Sequence, residues 1–228
     1  MTQIRLNKHL AHTLGMSRRE ADQNIEQGRV LINGKVATLG NIIDTERDKV
    51  SINNNTVSGT KKRYTHVLLN KPVGYICSRK QQGTAPTIYA LLPRHYHHLK
   101  VAGRLDKDSC GLVLLTDDGD LIFQLTHPKF NKQKIYHVGL NKPLDPNDKK
   151  KIEDGVELED GTSKFTITKL TPLTNKKPNM YKVVMSEGRN RQIRRTFSSL
   201  RYEVTFLERQ AFGPYSIERI HNKRFLQI

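Results

Sequence analysis

Residues 102–119 read AGRLDKDSCGLVLLTDDG, and the fold turns on how that stretch divides. Leu112-Val113-Leu114-Leu115 is an apolar run too short for an ordinary helix, and Asp117-Asp118-Gly119 behind it supplies a turn, so a buried strand is predicted. In front of it, Arg104, Asp106, Lys107 and Asp108 form a polar segment that joins the strand through Gly111. A charged cluster anchored to buried sheet is held more rigidly than one on a free loop, as a reacting group requires. Asp106 is therefore the first catalytic candidate. A solvated turn of mutual ion pairs explains the same residues, and this stretch alone leaves both readings open.

Outward from there, 228 residues at 36% hydrophobic content suffice for a small domain joined to a larger one. A net charge of +17 points to a polyanionic partner, nucleic acid first. An anionic membrane surface would attract the same charge, but no apolar run approaches a spanning helix and no signal-peptide pattern opens the sequence, so no membrane association is expected. Cys77 and Cys110 form neither a disulfide framework nor a CxxC metal signature, consistent with reducing cytoplasm.

In the first sixty residues, Ile4, Leu6, Leu10, Ala11 and Leu14 recur at near-helical spacing and predict a short amphipathic helix over Arg5 to Leu14. Ser17-Arg18-Arg19-Glu20 matches the capping box that opens a second helix, expected to run to about Gln27 and end at Gly28. Val30-Leu31-Ile32 and Val36 flank Asn33-Gly34, a hairpin signal because both turn positions tolerate positive φ, and Lys49 to Ile52 adds a strand. Lys8, Arg18, Arg19, Arg29 and Lys35 sit near the helix ends and hairpin, available for RNA phosphates. The pattern RLNKHLAHTLGMSRREADQNIEQGRVLINGKVA resembles an S4 domain, the RNA-binding module of a ribosomal protein and several RNA enzymes, over residues 3 to 53. Any αα-hairpin module needs similar caps. Polar Asn54 to Arg63 reads as a linker, which leaves 64–228 as the larger domain.

That domain opens with a strand from His66 that meets Lys71-Pro72 and must turn. Lys71, at the strand end, is either an RNA backbone contact or an ordinary exposed lysine. Thr87 to Leu92 reads as a short helix. His95, His97 and His98 invite a metal reading, but without acidic or cysteine partners a basic surface loop is the better account. Asp120 to Leu125 and Asp145 to Gly155 read as helical, and Ser163 to Leu170 as a strand. Alternation in another strand puts Lys134, Tyr136 and Val138 on one face, where Tyr136 is either a site residue or a core aromatic. Tyr181 to Met185 is a strand that passes through Gly188 into a helix bearing arginines, with Ile193 and Phe197 spaced to face the core. Arg189, Arg191, Arg194 and Arg195 lack interleaved acids, unlike a solvated charge face, and suit bidentate grip on carboxylate or phosphate.

LNKPVGY, GRLDKDSCGL, KIY and EGRNRQIRR, in this order behind an S4-like start, resemble the pseudouridine synthases of the RsuA/RluB/RluE/RluF branch over nearly the whole chain. The resemblance implies an α+β fold: a small αα-then-hairpin domain, then a mixed, mainly antiparallel sheet flanked by helices. It implies uridine isomerisation without a cofactor or metal, with Asp106 essential, Tyr136 the aromatic of the K-x-Y strand, and Arg194 the base that pairs with the aspartate. Lys71, Arg104, Lys134, Arg189, Arg191 and Arg195 are then expected RNA contacts, with Arg104 filling the gap or gripping phosphate when the nucleotide flips out.

The expected partner is ribosomal RNA, met by a monomer. AGRLD and LTDDG are similar to the small-subunit enzyme, whereas GVELEDG, RREAD, IEQG and RRTF are similar to two large-subunit branches, which favours 23S over 16S. The same reaction on 16S rRNA or tRNA, and a non-catalytic ribosome-associated protein in which Asp106 merely pairs with an arginine, are the alternatives.

Overall fold

The computed structural model describes residues 3–57, 63–171 and 179–228. The chain separates into two compact units, Met1–Arg63 and Tyr64–Ile228.

In the first unit, β1 (Gln3–Arg5) leads into α1 (Leu6–Leu14) and α2 (Arg18–Glu26), followed by β2 (Val30–Ile32), β3 (Lys35–Val36), β4 (Ile42–Asp44), β5 (Val50–Ile52) and β6 (Asn55–Thr56). Leu6 and Leu10 of α1 and Ala21 and Ile25 of α2, each pair four residues apart, close a core with Val30, Ile43 and Val50. Leu14, counted with the apolar stripe, is exposed instead. The capping box forms as read: Ser17 Oγ accepts from the Glu20 amide at 3.1 Å, and the Ser17 amide donates to Glu20 Oε2 at 3.4 Å. Ser17→Ala removes that acceptor and is expected to destabilise this unit by about 1 kcal/mol, measurable by thermal unfolding.

Asn33 and Gly34 take φ of 51° and 83°, the hairpin geometry that joins β2 to β3. The four-stranded sheet runs β3-β2-β5-β6. Asn55 and Thr56, read as the start of a linker, are that sheet's last strand, and Val57 is buried in the core, because the polar run still had backbone partners to pair with. Residues 58–62 of the expected linker lie outside the described residues.

The second unit is built on a mixed, mainly antiparallel sheet of nine strands among the described residues. Its elements are β7 (His66–Lys71), β8 (Lys100–Ala102), β9 (Cys110–Thr116), α3 (Gly119–Thr126), β10 (Lys134–Leu140), α4 (Pro146–Asp154), β11 (Val156–Leu158), β12 (Gly161–Ser163), β13 (Thr166–Lys169), β14 (Met180–Met185), α5 (Gln192–Ser199), β15 (Val204–Phe212), β16 (Tyr215–Ser216) and β17 (Phe225–Gln227). The order is β13-β14-β10-β15-β9-β7-β17, with β8 beside β9, β16 beside β15, and β11 and β12 forming a separate hairpin.

The apolar run of β9 lies in the middle and is buried on both faces. Val113 and Leu115 join one core with Val67, Leu69 and Phe197, while Leu112 and Leu114 join the other with Leu68, Leu125 and Phe212. Every pairing along the sheet is antiparallel except β9 with β15, where Cys110 and Gly111 lie parallel to Glu208 and Arg209. Ile193 and Phe197 hold α5 to the core as their spacing predicts, Phe197 against Phe165 and Tyr202.

Thr87 to Leu92 holds only a single 3-10 turn, Ile88–Leu91, and RHYHH holds another, Arg94–Tyr96. Tyr96 is buried with its hydroxyl on Gln227 Oε1 at 2.6 Å, which turns the neighbouring histidines outward. Among the described residues no group of three or more His, Cys, Asp or Glu could hold a metal ion, and no helix is long and apolar enough to cross a membrane.

Candidate active site

The segment between β8 and β9 carries Asp106, and the sheet fixes both its ends. Gly111 has φ of 102°, and a Cβ there would stand 2.5 Å from the Arg209 carbonyl oxygen. Only a residue without a side chain lets β15 approach β9 so closely. A bulge in β15 then sets Arg209 opposite Tyr136 of β10, so the Asp106 segment, Tyr136 and Arg209 converge at one end of the sheet. Within the segment, Leu105 is buried with its amide on Cys77 Sγ, the Ser109 amide donates to the Asp106 carbonyl, and the Lys107 carbonyl accepts from the Gly74 amide.

Lys71 completes this anchoring, and its expected role as an RNA contact is corrected: the residue is wholly buried, with Nζ donating to the Ser109 and Pro72 carbonyls. Burial pushes its pKa down, opposed by neighbouring Cys77, Cys110, Asp108 and Asp106. A strand-end lysine can turn inward when buried carbonyls await a donor, a condition that sequence does not reveal.

The arginines come from the entrance to α5. Arg191, the N-cap residue, sits in the left-handed region at φ 46° and ψ 29°, which a non-glycine side chain adopts at a cost. Its guanidinium lies 3.6 Å from Asp106 Oδ2 and grips Asp108 with two bonds of 3.0 Å. The pairing expected between Asp106 and Arg194 is therefore replaced by Asp106 with Arg191. Arg194 reaches Asp108 instead, with Nε 3.3 Å from its carboxylate and Nη2 on its carbonyl, and Nη1 donates to the Val204 carbonyl. Spacing puts positions 191 and 194 on one side, both arginines reach Asp108, and the Val204 and Asp108 carbonyls hold Arg194 away from Asp106. Burial would raise the Asp108 pKa, but the Arg191 hydrogen bond and the Arg194 and Arg191 charges outweigh it and leave the carboxyl below its ordinary value.

Asp106, Arg104, Tyr136, Lys134, Arg189, Arg191 and Arg194 all line one cleft of about 480 Å³. That lies within the ~300–1,000 Å³ typical of small-molecule sites. The Asp106 carboxylate is 36% exposed at its wall, whereas Tyr136 is buried, its ring part of both cleft and core. Arg104 is exposed, and no hydrogen bond or ion pair among the described residues engages its side chain.

Lys134 shares the inward face of Tyr136, as alternation requires, but it is buried rather than placed to reach RNA backbone. Its Nζ donates to the Ser186 and Glu187 carbonyls. Burial lowers its pKa, nearby Arg209 lowers it further, and Glu187 opposes them.

Arg209, which the sequence reading overlooked, is 1% exposed. Nε donates to the Leu112 carbonyl at 2.7 Å and Nη2 to the Gly103 carbonyl at 3.1 Å, with the guanidinium 4.8 Å from the Phe212 ring centroid. The available signal was alternation in β15, where Leu207, Arg209 and Phe212 are all buried across the bulge.

Arg189 and Arg195, expected to meet RNA, are engaged within the protein. The Asp160 carboxylate, at the turn of the β11–β12 hairpin, accepts two bonds from Arg195 at 2.9 and 2.7 Å and one from Arg189 at 3.1 Å, and the Asp160 carbonyl accepts another from Arg189 at 2.6 Å. Arg189 further donates to the Gly161 and Thr162 carbonyls, so this pair ties the hairpin to the arginine segment. The charge run does mix signs, through acids distant in sequence. In the first unit, Arg18, Arg19, Arg29 and Lys35 are exposed and Lys8 is half-buried.

Residues 65–199 match the RNA pseudouridylate synthase family and residues 4–50 match the S4 domain. The chain is 33% identical over 219 residues to the ribosomal large subunit pseudouridine synthase B of Bacillus subtilis, covering 95% of this chain and 88% of that protein. It is 34% identical over 216 residues to the ribosomal small subunit pseudouridine synthase A of Yersinia pestis, covering 94% and 90%. A crystal structure of a pseudouridylate synthase superposes with a TM-score of 0.67 at 28% identity, covering 99% of this chain and 96% of that one.

Proposed function

Because this chain belongs to the RNA pseudouridylate synthase family, we propose that it converts a uridine of ribosomal RNA to pseudouridine, with Asp106 as the essential group. The observation that carries this reading is the Asp106 carboxylate on the wall of a cleft that also contains Tyr136 and the Arg191 guanidinium. In the reaction the bond from ribose C1′ to base N1 breaks, the uracil turns, and C1′ joins C5. C5 loses a proton and N1 gains one, so every atom of the product comes from the substrate and no redox partner is required.

A target nucleotide stacked in RNA is out of reach, so it must flip into the cleft. Asp106 then acts as nucleophile or as base, and either role needs it ionised. The Arg191 guanidinium stands 3.6 Å from its carboxylate, and Asp108 holds that guanidinium in place. The Tyr136 ring offers a stacking surface for the uracil. Arg104, at the exposed rim, suits a phosphate of the extruded nucleotide.

Arg191→Lys keeps the charge but cannot span two carboxylates from one planar group. It is expected to lower kcat about 10- to 100-fold through misplaced charge, with RNA affinity changed much less. An equal loss for Arg194→Lys, with Arg191→Lys near wild type, would return the Asp106 partnership to Arg194.

The finer assignment is 23S rRNA, supported by sequence phrases similar to two large-subunit branches, in a protein acting as a cytoplasmic monomer. The test is tritium release from rRNA labelled at uracil C5, taken from cells lacking this gene, with 16S and 23S assayed separately. Release from 23S alone is expected. Release from 16S alone would transfer the assignment, and none from either rRNA or from tRNA would sink the enzymatic reading.

A further inference from the structure

A second cleft, of about 530 Å³, shares Arg191 and Arg194 with the catalytic cleft and is lined also by Asp108. Its other lining residues are Asn141, Ser198, Arg201, Tyr202, Glu203 and Val204, so its walls are mostly polar. Both Asp108 oxygens are already engaged by arginine, Oδ1 by Arg191 and Oδ2 by Arg191 and Arg194. Arg201 differs: it is exposed, and no hydrogen bond or ion pair among the described residues engages its side chain. Three arginines face two carboxylates here, one of them neutralised, which leaves the cleft net positive.

The backbone marks the same residue. α5 ends in a Schellman motif, with the Tyr202 amide on the Phe197 carbonyl and the Arg201 amide on the Ser198 carbonyl. Arg201 holds the left-handed position, φ 63°, where glycine or asparagine is usual. The N-cap of the same helix is Arg191, also left-handed. Both ends of one helix thus place an arginine where an unbranched backbone position would be cheaper, and both guanidinium-bearing residues line this cleft.

We propose that the second cleft seats a backbone phosphate of a nucleotide flanking the uridine in the catalytic cleft, with Arg201 as its free cation. This rests on the RNA substrate proposed above. The phosphate meets Arg201 directly, and the shared arginine wall sets its spacing from Asp106, so the site fixes the register in which RNA enters. Glu203, on the same wall, limits the attraction.

The test uses the full-length protein and an unmodified 23S rRNA transcript. Arg201→Gly and Arg201→Asn both suit the left-handed backbone, so each is expected to keep or raise the melting temperature. Each should weaken RNA binding roughly 5- to 10-fold and reduce the slope of log K against log salt by about 0.7 to 0.9, the signature of one lost phosphate contact. KM for tritium release should rise by a similar factor with kcat unchanged, and Glu203→Gln should tighten binding.

Wild-type affinity and salt slope in both variants would overturn the proposal. So would a fall in kcat at unchanged KM, which would mean that Arg201 acts through Arg191, and so would a lowered melting temperature in both, which would make it a helix-end support. Wild-type protein that binds the transcript but releases no tritium would remove the 23S assignment, while the binding series would still judge this site.

Discussion

Asp106→Asn is expected to abolish tritium release from C5-labelled rRNA, a fall in kcat of at least about 1,000-fold, while RNA affinity and melting temperature stay close to wild type. The geometry makes this separation possible. Asp106 is partly exposed, and its contact with Arg191 at 3.6 Å is longer than a hydrogen bond, so its charge adds little to folding. Asparagine is nearly isosteric, and Arg191 keeps its two-bond grip on Asp108 when the neighbouring charge goes. What disappears is the group able to attack C1′ or remove a proton. A variant that unfolds, or one that retains substantial turnover, would count against this role: the first would make Asp106 a structural partner of Arg191, and the second would put the chemistry on another residue.

Gly111→Ala should cost the second unit about 3–5 kcal/mol, near the upper limit for a single substitution. Two effects add. The backbone at φ 102° lies outside the regions that L side chains adopt readily, and the new Cβ would meet the Arg209 carbonyl oxygen at 2.5 Å and its amide nitrogen at 2.6 Å. Those are backbone atoms within β15, so no side-chain rotation relieves the clash, and β9 must separate from β15 where the two strands pair in parallel. Because Arg209 bridges the Leu112 and Gly103 carbonyls, the separation would also disturb both ends of the Asp106 segment. Denaturant titration followed by loss of ordered β structure would check it. A midpoint within experimental error of wild type would show that the close approach carries no strain.

Local signals in the chain were sufficient for several elements. The Ser17–Glu20 capping box, the Asn33-Gly34 turn and the Leu112–Leu115 strand each depend on neighbours within a few residues, and each formed where its residues predict. Alternation likewise put Lys134 and Tyr136 on one inward face. By contrast, Asn55 and Thr56 look like linker because a short polar edge strand has no apolar pattern, and only the presence of β5 makes it a strand.

The candidate site divides along the same line. Sequence by itself determined the family, the fold class and the candidacy of Asp106, because GRLD, the K-x-Y strand and the arginine segment are contiguous motifs whose chemistry is visible in the residues themselves. Tertiary structure alone decided how charge is distributed among them. Arg191 rather than Arg194 faces Asp106 because the Val204 and Asp108 carbonyls hold the latter; Arg189 and Arg195 are held by Asp160; Lys71 and Arg209 turn inward to buried carbonyls. A lysine or arginine has the same letter whether it meets solvent, a phosphate or a carbonyl. Which of these it meets depends on backbone and carboxylates brought from tens of residues away, and on the large cost of leaving a buried polar group without a partner.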